Sequence, residues 1–263
     1  MNFITSMNSK LYHQYGKNMI IDFHNKSGSD VKLFVIFEGP IPDNELTNER
    51  IHIVPMESPE HNNFIRYFGR LHEARGLTIK FSDDNQKVDL EWNYRFDAIR
   101  FSFKIFSILQ ALSIIANEQP FAWIDADIRC LKSFSDDDLK PYLPLGSELM
   151  SYLGRDNHPY SECGFLGFNA QHPKCLEFLT RMKNIYTQGE IFSLAEWHDS
   201  WIWDHVRKEY ESQGVDFKNI SGAARILEHP FINCGLGKYF DHLKGAQRKV
   251  DGHSSESDYQ LNK

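Results

Sequence analysis

The chemistry of this chain is most visible at Asp125 and Asp127, which follow the short apolar run Phe121 to Ile124 after Pro120. That run predicts a buried strand. Strand side chains alternate with a period of two, so both carboxylates point to one face where the strand runs out. Two oxygen donors on one face suit Mg²⁺ or Mn²⁺, cations that proteins usually share with substrate phosphates. Near the other end, the stretch Tyr239 to Lys249 holds His242, Lys244, Gly245, Arg248 and Lys249. His242 is a borderline nitrogen ligand that would complete a metal shell. Lys244, Arg248 or Lys249 would neutralise a departing phosphate, with Gly245 letting the chain close over a diphosphate.

Three further segments carry polar residues that a fold alone does not require. Arg95, Arg100 and Lys104 lie on or near the long amphipathic segment leading into the Phe121 strand. They read either as a solvent face or, for Arg100 and Lys104, as contacts to a nucleotide or phosphate. The run Glu162 to Asn169 contains Gly164 and Gly167, a sign of close backbone approach by a ligand or another element. Glu162 or Asn169 would then bond sugar hydroxyls. In Glu196 to Trp203, Asp199 is a good N-cap, while Trp197, Trp201 and Trp203 would suit a sugar-stacking wall around His198 and Asp199. Asp136, Asp137 and Asp138 read as an acidic first helical turn rather than a second metal site.

The elements that must position these residues alternate. Strands are expected at Asn2 to Thr5, Val31 to Phe37, Ile51 to Val54, Phe121 to Ile124, Glu148 to Leu153 and Gly164 to Phe168. Helices are expected at Ser9 to His24, Ser58 to Ala74, Tyr94 to Ala116, Pro173 to Tyr186 and Asp199 to Tyr210. In the third of these, Phe96, Ile99, Phe103, Phe106, Gln110 and Ile114 mark one mostly apolar stripe. Thr78 to Leu90 reads as irregular. This pattern predicts an α/β fold with a mostly parallel sheet flanked by helices.

With 263 residues, 41% hydrophobic and 14% aromatic, the chain can bury a sizeable core. A formal net charge of −7 and the lack of a basic run argue against a duplex nucleic-acid binder. Cys130, Cys163, Cys175 and Cys234 have no zinc-ligand spacing and read as reduced thiols. The start of the chain lacks the pattern of a signal peptide, and no apolar stretch is long enough to span a bilayer, so a cytoplasmic protein is expected. Residues 251–263 read as a disordered tail behind a single domain, 1–250.

In order and type, these motifs resemble the glycosyltransferases of the GT-A fold. The likeness runs from the Val31 strand to Lys249 through Asp125-x-Asp127, Gly164-Phe-x-Gly-Phe-Asn169, Trp197-x-Asp199 and His242-x-x-Gly245. It implies that Asp125, Asp127 and His242 hold a divalent metal against the diphosphate of a nucleotide sugar, with a uridine diphosphate hexose the expected donor. Residues 1–127 would bind that donor and a smaller region, 128–250, the acceptor. It also implies that Thr5 and Ser6 meet the nucleotide. The segment His242-x-x-Gly245-x-x-Arg248 is similar to one in glycogenin-like retaining enzymes, where a lysine stands at the last position and binds phosphate. An inverting enzyme would need Asp199 or Glu162 as the base for the acceptor hydroxyl. With retention, the expected outcome, the leaving phosphate takes that proton and Asp199 orients substrate. A glycan, lipid, protein or small molecule could each be the acceptor. Rival readings are another metal-dependent phosphoryl or nucleotidyl transferase, and a carbohydrate- or nucleotide-sugar-binding protein without catalysis.

Overall fold

The computed structural model describes residues 1–41, 46–81, 88–115 and 120–261. Its strands are β1 (Asn2–Asn8), β2 (Lys32–Glu38), β3 (Ile51–Pro55), β4 (Leu77–Phe81), β5 (Val88–Trp92), β6 (Phe121–Ile124), β7 (Ile128–Cys130), β8 (Met150–Leu153), β9 (Glu162–Phe168), β10 (Phe217–Asn219) and β11 (Phe240–His242). Seven form one sheet in the order β10-β8-β9-β6-β1-β2-β3. The run β6-β1-β2-β3 is parallel, and β9 lies antiparallel between β6 and β8. The expected α/β fold with a mostly parallel sheet is therefore present, and the sheet crosses the boundary at 127 without a break.

Both faces of the sheet are covered. Ile4, Phe34, Ile36, Phe121 and Trp123 enter one core, while Phe3, Met7, Leu33, Val35, Phe37 and Ile124 enter the other. Burial on both faces is why β2 and β6 read as continuous apolar runs. The helix Ala98–Ile114 packs on β1 and β2 and against the helices Cys175–Thr187 and Asp199–Glu211. It is buried around much of its circumference, so the packed face includes Ile99 and Phe106 of the expected stripe but is wider than that stripe. Ala98, Ile99, Ser102, Ile105, Ile108 and Ala111 are buried, whereas Ile114 is 49% exposed. Ser58 caps the helix Pro59–Phe68 as expected, by accepting from the His61 amide. Among the described residues, no helix is long and apolar enough to cross a membrane.

Two expectations are corrected. The segment read as irregular from Thr78 holds β4 and β5, a hairpin in which Ile79 faces Leu90 and Leu77 faces Trp92. Its polar alternation hid it, because Ile79, Leu90 and Trp92 stay about half exposed. The segment read as a disordered tail is folded through Leu261. The Ser254 amide and hydroxyl donate to buried Asp241, Arg248 pairs with Asp258, and the Gln260 amide donates to Asn233. A polar stretch can order without apolar cover when buried acceptors are waiting for it.

Candidate active site

Parallel strands place their carboxyl ends on one rim, where open α/β sheets bind ligands. Here Ser6 and Asn8 of β1, Glu38 of β2 and Asp125 after β6 meet on that rim. Because β9 runs antiparallel, its amino end joins the same rim, and the Asp125 amide donates to the Gly164 carbonyl at 3.0 Å. Two adjoining clefts, of about 570 and 500 Å³, open there and share Arg100, Phe101, Asp125, Asp127, Asp199 and Lys249.

Tertiary pairing brings the distant histidine in. β7 begins directly after Asp127 and pairs antiparallel with β11, setting His242 opposite Ile128. The His242 Nε2 then lies 3.4 Å from Asp127 Oδ1 and 3.8 Å from Asp125 Oδ2. Ligand atoms of the three residues fall within 4.8 Å of one another. Two ligands about 2.1 Å from a cation on adjacent octahedral corners stand about 3 Å apart, so the trio is close to a metal-holding set. Two carboxylates and one imidazole suit Mn²⁺ or Mg²⁺. Burial disfavours the charge on Asp127, but His242 and Lys249 outweigh it and hold the carboxyl well below its ordinary range. Burial likewise opposes the charge on His242, yet Asp127 and Glu162 raise its pKa to about 10.

The cations sort differently from their order in sequence. Lys249 places its Nζ 2.7 Å from Asp127 Oδ2 and over the Tyr15 ring. Arg248, one residue earlier on the helix Ala246–Asp251, is turned away and tied to Asp258 and the Lys244 carbonyl. Of these two neighbours, Lys249 is thus the one that faces Asp127. Lys244 is half-buried at the rim of the second cleft, beside Gly245 with φ +87°. Arg100 stacks over Trp92 and lines both clefts. Arg95 points to solvent and pairs with Glu196.

Lys104 lines the first cleft but is not solvated, and its charge is already matched. It is 7% exposed and donates to Asp199 at 2.5 Å, Asp125 at 3.0 Å and the Cys163 carbonyl at 2.9 Å. Burial works against its charge, but the two aspartates raise its pKa far above the ordinary value. Asp199 is the first residue of its helix rather than the cap, which is His198. Burial pushes the Asp199 carboxyl up, and Lys104 more than offsets this, leaving its pKa lowered. Glu162 is 3% exposed and also lowered well below the ordinary value: burial opposes the charge, and His229, Lys244 and His242 overcome it. Two carboxylates held this acidic are poor proton acceptors.

Other candidates lie elsewhere. Thr5 is fully buried opposite Val35 and cannot touch a nucleotide, whereas its neighbour Ser6 lines the first cleft. Asn169 stands at the far end of β9, where it closes a turn with Gln171. The tryptophan wall is not at the site: Trp203 is buried in the core and Trp197 packs on Phe96 and Phe192. The aromatic side chains lining the second cleft are instead Trp92, Tyr94, Phe101 and Tyr160.

Sequence reading missed Asn8, Tyr15, Glu38 and His229. Asn8 and Glu38 carried a usable signal, being polar residues at the carboxyl ends of clear strands; Tyr15 and His229 carried none. Glu38 accepts from the Ser6 hydroxyl at 3.0 Å and from Asn8 at 3.5 Å. Burial nevertheless raises its pKa from 4.5 to about 7, against those bonds and Arg100. The folded chain therefore keeps a proton that the unfolded chain releases, and Glu38 costs stability increasingly as pH rises from 4.5 to about 7. Glu38→Gln is expected to stabilise the fold at pH 8 by on the order of 1 kcal/mol, and hardly at all at pH 4. Urea unfolding at the two pH values measures the difference; an equal effect at both would refute it.

Fold and site together describe an α/β protein with an acidic, histidine-flanked cleft at its strand ends. No family model and no curated protein matches the chain. Among solved structures it is similar to mouse xyloside xylosyltransferase 1 in its apo form, at 8% identity over 83% of this chain and 85% of that one, with a TM-score of 0.46. It is similar too to a glycosyltransferase involved in glycosylation of the major capsid of PBCV-1, at 10% identity, 95% and 98% coverage, and a TM-score of 0.49. A third is the galactosyltransferase LgtC in complex with donor and acceptor sugar analogs, at 11% identity, 84% and 74% coverage, and a TM-score of 0.44. Likenesses this distant carry no argument by themselves.

Proposed function

We propose that this chain is a metal-assisted glycosyltransferase that moves a sugar from a nucleoside diphosphate, a uridine diphosphate hexose by family resemblance, to an acceptor hydroxyl. The observation that carries the reading is the convergence of Asp125, Asp127 and His242 on one cleft from strands far apart in sequence. A divalent cation bound there would neutralise charge on the donor diphosphate as its bond to the sugar breaks. Lys249 stands beside Asp127 to stabilise the same charge, and Lys244 borders the adjoining cleft. Ser6, Asn8 and Glu38 offer hydrogen-bonding groups to the nucleoside in the first cleft. Trp92, Tyr94 and Tyr160 offer apolar faces to an acceptor in the second.

Retention fits this site better than inversion. Inversion requires a carboxylate that takes the acceptor proton, and Asp199 and Glu162 are both paired with cations and depressed in pKa. The leaving phosphate is then the proton acceptor, and Asp199, fixed by Lys104, orients the donor sugar. The test is hydrolysis and binding of a panel of nucleotide sugars with Mn²⁺, with Mg²⁺ and with a chelator. Slow donor hydrolysis that stops with chelator is expected, with the α-anomer released from an α-linked donor. Absence of both turnover and metal-dependent binding across the panel would overturn the reading.

A further inference from the structure

Glu162 is a carboxylate too acidic to act as a base, yet its surroundings give it a definite role. It opens β9 and is buried, with Oε1 2.9 Å from the Nδ1 of His242 and 3.1 Å from the Nδ1 of His229. The other ring nitrogen of His229 lies 3.1 Å from the backbone carbonyl of His242. His229 thus spans both ends of the Glu162–His242 pair, and all three residues are buried. A Cβ at Gly164 would stand 2.7 Å from the His242 ring, so the glycine makes the space that the imidazole fills. Phe231 packs against the same ring at a centroid distance of 5.2 Å.

The His242 Nδ1 is taken up by its contact with the Glu162 carboxylate, 2.9 Å away. The nitrogen left for a metal is then Nε2, the one that faces Asp125 and Asp127. We propose that Glu162, clamped by His229, is a positioning residue that fixes the ring orientation and tautomer in which His242 presents Nε2 to a cation held by Asp125 and Asp127. Carboxylates placed behind a metal-bound histidine act in this way, and losing one typically weakens metal binding 10- to 100-fold. The proposal rests on the metal-assisted reading above.

The test is Mn²⁺ affinity of the full chain, by titration followed with electron paramagnetic resonance, for wild type, Glu162→Gln, His229→Gln, His242→Ala and Glu162→Gln combined with His242→Ala. Glu162→Gln is expected to weaken Mn²⁺ about 10-fold and to diminish the nitrogen modulation of the Mn²⁺ spin echo. In the His242→Ala background the same change should cost less than about 2-fold, because a residue acting through His242 has nothing left to position. His229→Gln is expected to weaken Mn²⁺ about 3-fold, and it serves if Glu162→Gln does not fold. Unchanged affinity in Glu162→Gln, or equal losses with and without His242, would overturn the positioning role while leaving the metal reading intact. Failure of the wild-type chain to bind Mn²⁺ would overturn both.

Discussion

Replacing Asp127 with asparagine is expected to lower metal-dependent sugar transfer by about 10³-fold or more, equivalent to ~4 kcal/mol of lost transition-state stabilisation. Asparagine keeps the shape and one oxygen of the side chain but removes the charge that His242 and Lys249 both face. The variant therefore loses a metal ligand and leaves two cations beside the donor diphosphate without their shared counter-charge. Its turnover should not return at saturating Mn²⁺, because a cation held by Asp125 and His242 alone is displaced from its place against the phosphate. Turnover with and without Mn²⁺, beside the affinity for a nucleoside diphosphate, measures this. A variant within 10-fold of wild type, on that scale, would remove Asp127 from the reaction and with it the main support for the proposed function.

Lys104→Met is expected to act on the fold itself. Methionine matches the length of the lysine stem but leaves Asp125 and Asp199 facing each other without the cation that lies between them. Removing one partner of a buried ion pair typically destabilises by about 3–5 kcal/mol. In a chain of this size that corresponds to a fall of roughly 10 °C in melting temperature. The deficit should shrink on acidification. With Lys104 gone, burial of the Asp199 carboxyl is opposed only by His198 and the Ser200 amide, so its pKa rises and protonation at lower pH neutralises the stranded charge. Adding Asp199→Asn to Lys104→Met should recover part of the loss at pH 7, a coupling that additive effects would not produce. Melting curves of the two single variants and the double variant at pH 5 and pH 8 decide it. Equal deficits at the two pH values and no coupling would mean that Lys104 only fills space.

These two residues also show how far the sequence could be read. Asp125 and Asp127 were legible because a strand and its carboxyl end are local features: four apolar residues after a proline, then two carboxylates in step. β2 and β6 were legible for the same reason, being buried on both faces. Lys104 was not, because its helix offers no sign that one lysine turns inward. Only the fold, which brings this lysine to the Cys163 carbonyl of β9 and to Asp199 at the start of the helix Asp199–Glu211, makes the place where its charge is matched. The hairpin of β4 and β5 escaped because a half-exposed ribbon has the polarity of a loop. The Trp197, Trp201 and Trp203 cluster misled because large aromatic side chains serve a core as readily as a sugar site, and type alone does not separate the two.

What the sequence determined by itself is the class of architecture and the residues on which the proposed chemistry rests. Periodicity set the α/β order, and the carboxylate pair, the histidine and the basic segment marked the groups from which a cation-and-phosphate site is proposed. Which residues share that site was decided in three dimensions. The pairing of β11 with β7 carries His242 to Asp127, the reversed direction of β9 brings Glu162 to the rim, and one step along the helix Ala246–Asp251 exchanges Arg248 for Lys249. Local pattern reports the face a residue takes relative to its own element. The partner it meets there depends on strand order and helix phase, which are fixed by burial of the whole core.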